Sequence, residues 1–123
     1  MPAVIKIDRQ RRLVCSTFYG ELTDQELLRH HTALTADPLF DPTFSEIADF
    51  SAVTKVAVSE IALQSLAKRQ SLYREAVIHV VVAPQEIAFQ LAGKYQSMAQ
   101  ETRPNLVVVQ TLEEAYQRLG VKP

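Results

Sequence analysis

A lone cysteine, three glycines and a net charge of −1 set the first limits on this chain of 123 residues. One thiol, Cys15, cannot form an internal bridge, which excludes a disulfide scaffold and agrees with a reducing compartment. Gly20, Gly93 and Gly120 are too scattered to build a phosphate-cradling loop, and neither a Gly-x-Ser-x-Gly turn nor paired thiols occur. With 13 basic and 14 acidic side chains there is little long-range field to attract a polyanion or an anionic membrane surface. The basic turn of Arg9, Arg11 and Arg12 has no interleaved aromatics, so it reads as a solvated turn and no nucleic-acid partner is expected. The longest apolar stretch, Ala76 to Ala83, contains His79 and falls far short of the ~20 residues that cross a bilayer. Met1 to Lys6 has no basic segment followed by a long apolar run, so the expectation is no secretory signal and a cytoplasmic location.

What is present is enough for a core. At 47% hydrophobic and 22% charged residues, one globular domain over residues 1–123 is expected. A chain of this length buries roughly two-thirds of its unfolded surface without metals or disulfides to hold it.

Hydrophobic period and punctuation give the element order. A strand from about Ala3 to Ile7, a polar turn Asp8 to Arg11 and a strand from Arg12 to Tyr19 form a hairpin, broken at Gly20. Thr23 with Glu26 is a capping box that opens a first helix, whose apolar face carries Leu27, Leu28, His31, Leu34 and Thr35. Asp37-Pro38 stops it, because a residue before proline is pushed out of helical geometry, and Asp41-Pro42 marks the loop before a strand from Ser45 to Phe50. Ser59 is suited to cap a second helix bearing Ile61, Ala62, Leu66 and Tyr73. Ala76 to Ala83 is nearly all apolar and β-branched, which places a strand in the middle of a sheet. Pro84 suits the first turn of a third helix with Ile87, Leu91, Tyr95 and Met98 at helical spacing, ending before Pro104. Leu106 to Val109 is the last strand. Thr111 with Glu114 caps a final helix bearing Leu112, Ala115, Tyr116 and Leu119, with Gly120 as its stop. The predicted fold class is α/β in the order ββαβαβαβα: a mixed five-stranded sheet with one antiparallel strand, and four helices.

This order, with two short stretches, resembles the STAS superfamily, especially its small stand-alone bacterial SpoIIAA-like (anti-sigma factor antagonist-like) members. The first stretch is Tyr19-Gly20-Glu21-Leu22-Thr23, at the turn into helix one. The second is Ile47-Ala48-Asp49-Phe50-Ser51-Ala52-Val53, similar to the family's strand-ending Asp-apolar-Ser-x-Val pattern. Val82-Ala83-Pro84 and Glu113-Glu114-Ala115 are weaker echoes. The resemblance implies partner binding controlled by phosphorylation of a serine that follows an aspartate at the start of helix two. Carried forward from Asp49 and Ser51, those two positions fall on Ala57 and Val58. The switch motif is therefore absent, and the fold transfers without it. Ser59, one place on, reads first as a helix cap, although phosphate at a helix amino terminus is electrostatically acceptable.

Each candidate residue has a structural and a functional reading. His31, near the centre of the apolar stripe, is either a core or rim histidine bonded to a loop carbonyl or carboxylate, or a polar group lining a pocket. His30 lies about 100° round the helix from it, so the two do not readily chelate one metal, and no other metal-ligand spacing exists. His79 shares a strand face with Val77 and Val81. If helices cover the other face, His79 lies opposite them, as a satisfied histidine or a ligand or subunit contact. Crossovers that put the helices mainly on one side would leave an apolar sheet face needing a cover, which a symmetric homodimer supplies. Asp49, Ser51 and Thr54 are expected in the loop after the third strand, where parallel sheets place ligands, though turn chemistry explains all three. Arg69 is expected on the inner side of helix two beside Tyr73, able to reach an acidic partner or a bound anion, or to cover apolar surface with its stem. Phe89, off the main stripe of helix three, is either edge packing or a contact for a partner or an apolar ligand.

The leading expectation is a non-catalytic STAS-like protein that binds a protein partner, or itself, through sheet edge, helix-two amino end and nearby loops. An alternative is a carrier of a small apolar or lipid-like ligand, suggested by the fold's kinship with lipid-binding domains and by Phe89, Tyr95 and Met98 on one helix. It requires a pocket of a few hundred Å³. A third reading, an enzyme with a histidine or carboxylate base, requires Asp49 or His31 to face an open cleft beside another polar group. No cofactor or metal is expected.

Overall fold

The computed structural model describes residues 3–69 and 77–123. Its elements are β1 (Ala3–Asp8), β2 (Leu13–Thr23), α1 (Asp24–Ala36), β3 (Ser45–Ala57), α2 (Glu60–Lys68), β4 (His79–Val82), α3 (Glu86–Met98), β5 (Leu106–Val109) and α4 (Leu112–Leu119). The strands lie in the spatial order β1-β2-β3-β4-β5, with β1 antiparallel to β2 and the other neighbours parallel. This is the expected mixed five-stranded sheet with four helices. Tyr73 and the expected first residue of strand four, Ala76, lie outside the described residues.

Topology decides where the helices go. From β2 to β5 every parallel crossover steps to the adjacent strand in the same direction, and right-handed crossovers of that kind place all their helices on one face. Accordingly Leu27 of α1 and Ala88 and Ala92 of α3 pack on the sheet side bearing Phe18, Phe50 and Val81. α4 follows the last strand, crosses nothing, and is free to turn back. Its Ala115 packs on the opposite side against Leu13, Ile47, Val80 and Val82, each of them 1% exposed or less. The expected need for a dimeric cover loses its premise there, because the chain covers that part of the sheet itself. His79, with Val81, faces the three-helix side and not the side opposite the helices; Val80 and Val82 meet α4.

The caps follow the sequence signals. Thr23 accepts from Glu26 N–H at 3.3 Å, Ser59 from Ala62 N–H at 3.1 Å and Thr111 from Glu114 N–H at 3.1 Å. Gly120, at φ 69°, ends α4 in the left-handed region that an L side chain resists. Pro84 lies before α3, whose N-cap is Gln85, not within its first turn.

The largest difference lies in β2 and β3. Both run on well past the expected ends, Tyr19 and Phe50, to Thr23 and Ala57. The register slips between Thr17 and Tyr19 and again between Gly20 and Glu21, and Gly20 takes φ 73° there, so the glycine bends the strand instead of ending it. Val53, between the slips, and Leu22, beyond them, still reach the core at 1% exposure each, and that burial is what carries pairing onward.

Candidate functional site

Between the sheet and the three crossover helices lies a partly open cavity of about 140 Å³. Its walls are mostly apolar: Phe18, Phe50, Leu63, Leu66, Val81 and Leu91 are among them. Into it the fold brings all three histidines of the chain, His30, His31 and His79, together with Glu46, Tyr95 and Arg103. Among the described residues no group of three or more His, Cys, Asp or Glu side chains is placed to hold a metal ion.

Each polar group has a distinct environment. His30 Nε2 lies 2.7 Å from Ser16 Oγ on β2, and its ring stacks at a tilt on Phe18 with centroids 4.8 Å apart. Burial holds its pKa below the usual histidine value, partly opposed by the Glu46 carboxylate. His31 Nε2 is buried with no hydrogen-bond partner among the described residues. Burial, and then the positive charges of Arg69 and Arg103, hold His31 below the usual value too. On the strands, β3 and β4 pair Glu46 with His79 in register, and His79 Nδ1 sits 3.5 Å from Glu46 Oε1. Arg103, after α3, donates through Nη1 to the Arg69 carbonyl at 3.1 Å and to Thr102 Oγ1 at 3.0 Å, with its guanidinium 5.7 Å from the Tyr95 ring centre. Burial pushes the Tyr95 hydroxyl pKa up.

Of the residues weighed in the sequence as candidates, His30, His31 and His79 line this cavity, as does Tyr95 from the apolar-ligand reading, while Asp49, Ser51, Thr54, Ser59, Arg69 and Phe89 do not. His31 lines the pocket, and its Nε2 does not donate to the expected carbonyl or carboxylate. Asp49, Ser51 and Thr54 lie inside β3, not in a loop after it. Asp49 Oδ1 accepts from the Ser51 amide at 2.9 Å and from its hydroxyl, a closed local turn at the register slip. Ser59 is fixed from two sides: its amide and hydroxyl each donate to Asp24 at 2.7 Å while its hydroxyl caps α2. Those bonds hold the Asp24 carboxyl below its ordinary value. Arg69 is not on the inner side of a helix. α2 stops at Lys68, leaving Arg69 as an exposed C-cap whose carbonyl receives Arg103. Phe89 is exposed and outside the cavity, as are Ile87 at 67% exposure in the first turn of α3 and Ile61 at 79% in the first turn of α2.

Sequence reasoning missed Glu46 and Arg103; of the three helix-three residues that suggested an apolar ligand, Tyr95 lines the cavity and Phe89 and Met98 do not. One signal existed for Glu46: it alternates with Phe44 and Ala48 along a strand, where a charge on the buried face requires a partner. Arg103 gave none, since an arginine beside Pro104 reads as an ordinary loop residue. The basic turn is also occupied internally. Arg11 pairs with Asp8 at 2.7 Å and donates to the Lys122 carbonyl at 2.6 Å, while Arg12 donates to Thr43 Oγ1 at 2.9 Å.

No helix among the described residues is long and apolar enough to cross a membrane. No family model matches the chain, and no curated protein matches it. Among solved structures it is similar to an uncharacterized protein of the DUF3478 family from Shewanella loihica PV-4, which has a SpoIIAA-like fold. The TM-score is 0.56 at 14% identity, over 95% of this chain and 93% of that one. A likeness at that identity speaks for architecture alone, and with the sheet order and helix placement above it assigns this chain the SpoIIAA-like fold.

Proposed function

We propose that the chain is a non-catalytic binding module whose occupant is a small, largely apolar molecule held between the sheet and α1–α3. The observation that carries this reading is the cavity of about 140 Å³, walled by leucine, valine and phenylalanine with a few polar groups. A dry cavity of about 150 Å³ with similar walls admits benzene. The volume therefore suits a single ring or a short branched chain, and falls below the few hundred Å³ that a lipid carrier requires. Access supports the non-catalytic part of the reading. Ser16 and His30 have the atoms of a nucleophile and a base, but Ser16 is 0% exposed and does not line the cavity. Asp49 is closed in its own turn.

Toluene titrated into isotopically labelled protein tests this. Amide shifts are expected to concentrate on the cavity walls in the wild type and to vanish in Ala92→Leu, which fills the space. Shifts spread over the surface, or none, would refute the reading. A second reading, docking of a protein partner at the amino ends of α2 and α3, is favoured by the exposed Ile61, two residues after Ser59, and the exposed Ile87 in the first turn of α3. It predicts that Ile61→Asp with Ile87→Asp abolishes a stoichiometric polypeptide complex seen by native mass spectrometry, while toluene binding is unaffected.

A further inference from the structure

The polar lining is unevenly satisfied, and that unevenness describes a ligand. Among the described residues Glu46 is the one carboxylate on the cavity wall, and His79 Nδ1 lies 3.5 Å from it. Arg103 is different. Among the described residues no carboxylate pairs with it; its hydrogen-bond acceptors are a carbonyl and a hydroxyl, both taken by Nη1. Its Nη2 and Nε make no hydrogen bond among the described residues, and the side chain lines the cavity. On the wall of the same cavity is His31, with a buried Nε2 that makes no hydrogen bond among the described residues. A buried imidazole nitrogen without a partner is costly to keep, and a half-buried guanidinium on the same cavity, with no carboxylate partner among the described residues, leaves a positive charge for an incoming anion.

We propose that the cavity selects a small aromatic or branched aliphatic carboxylate, its acid group held by Arg103 and His31 and its hydrocarbon body against Phe50, Leu63 and Val81. A carboxylate accepts two parallel N–H bonds from a guanidinium and a third from an imidazole N–H, so one group satisfies both residues. A neutral alcohol completes His31 but leaves the arginine without an anion. An ammonium head is repelled by Arg103 and by the nearby Arg69. Glu46 fixes the orientation, because its negative charge keeps the incoming acid at the Arg103 end of the polar lining. Inorganic phosphate or sulfate supplies the charge without covering the apolar walls. The inference rests on the cavity being the binding site, and it adds the chemical class of the occupant.

The test uses three probes of one ring size, benzoate, benzyl alcohol and toluene, titrated into the labelled full chain near neutral pH. The expected result is that benzoate binds about tenfold or more tighter than benzyl alcohol, the margin of a charge-assisted hydrogen bond over a neutral one. In Arg103→Met that margin disappears while toluene still binds, which also shows that the variant is folded. Benzyl alcohol or toluene binding as tightly as benzoate in the wild type overturns the carboxylate inference and leaves the cavity reading standing. If none of the three perturbs the cavity amides, both readings fall. Should Arg103→Met not fold, the wild-type ranking of benzoate against benzyl alcohol decides alone.

Discussion

The two faces of the sheet are built on opposite terms. One is covered by a single short helix, α4, and is filled: Leu13, Ile47, Val80, Val82 and Ala115 meet there at 1% exposure or less. The other is covered by three helices and is hollow, and both buried polar residues of the described chain, Ser16 and His79, lie on it. More helical cover has produced less packing. A face built for stability alone would close the space and exclude the histidines, since voids and unpartnered polar groups each cost free energy. The difference teaches that α4 holds the sheet together while α1–α3 hold something open. Their packing leaves about 140 Å³ that larger side chains at Ala48 and Ala92 would have filled.

One substitution made on each face tests this comparison most severely. Ala115→Leu adds three carbons to a site that is 0% exposed. It is expected to destabilise by about 1–3 kcal/mol through overpacking. Ala92→Leu adds the same atoms beside the cavity and is expected to be neutral or to stabilise by roughly 0.5–2 kcal/mol, as cavity-filling changes do. Chemical denaturation of both variants reads the signs. Equal losses at both positions would mean that the hollow face is not hollow in solution, and the contrast drawn here would collapse.

The filled face was the more legible of the two in the sequence. Alternation in Val80 and Val82, the cap at Thr111 and the stop at Gly120 are local signals, and each is honoured. Right-handed crossovers then determine which side the other helices take, although their common side was left open in the sequence because strand order was not fixed. The cavity was not legible. A cavity is a difference between volumes contributed by elements far apart in the chain, and its polar members come from α1, β3, β4, α3 and the loop after α3. His31 was visible because helical period places it among leucines. Glu46 and Arg103 needed the β3–β4 register and the end of α2, and neither is written locally. The Asp49, Ser51 and Thr54 prediction failed for a related reason: Gly20 was taken as a strand end, whereas a bulge lets pairing continue to Ala57.

Within the hollow face the two adjacent histidines differ as sharply as the two faces do. His30 satisfies a fully buried serine, so His30→Leu leaves Ser16 Oγ without its partner and is expected to cost about 1–3 kcal/mol. His31 satisfies nothing among the described residues, so His31→Leu removes an unpaired buried nitrogen and is expected to stabilise by about 1 kcal/mol. The same variant weakens benzoate binding if the carboxylate inference holds. A destabilised His31→Leu would show that this side chain serves the core, and would move it from the ligand side of the comparison to the structural side.

The smallest effect is a pH dependence that separates the faces without mutation. His30 and His31 both titrate below the ordinary histidine value of 6.5 in the folded chain, chiefly because burial disfavours the imidazolium. The groups around them are Ser16 on β2, Glu46 on β3, His79 on β4, Tyr95 on α3, and Arg69 and Arg103 beyond α2 and α3. As pH falls through 6.5 the unfolded chain binds protons that the folded chain refuses, so stability declines until the folded values are reached, and then levels off. A second decline begins further down. Asp8 and Asp24 are held below their usual 3.8 by Arg11 and Ser59, and the stability they contribute is lost as pH falls through their folded values. Cys15, on the filled face, does not enter either window, because burial pushes its thiol above 9.0. Thermal denaturation should therefore show a first drop of roughly 2–6 °C in Tm just below pH 6.5. It should be flattened in the His30→Leu, His31→Leu double variant, with the acidic step unchanged. A first drop that persists in the double variant would place the responsible proton elsewhere, and the hollow face would then be distinguished by its volume and not by its histidines.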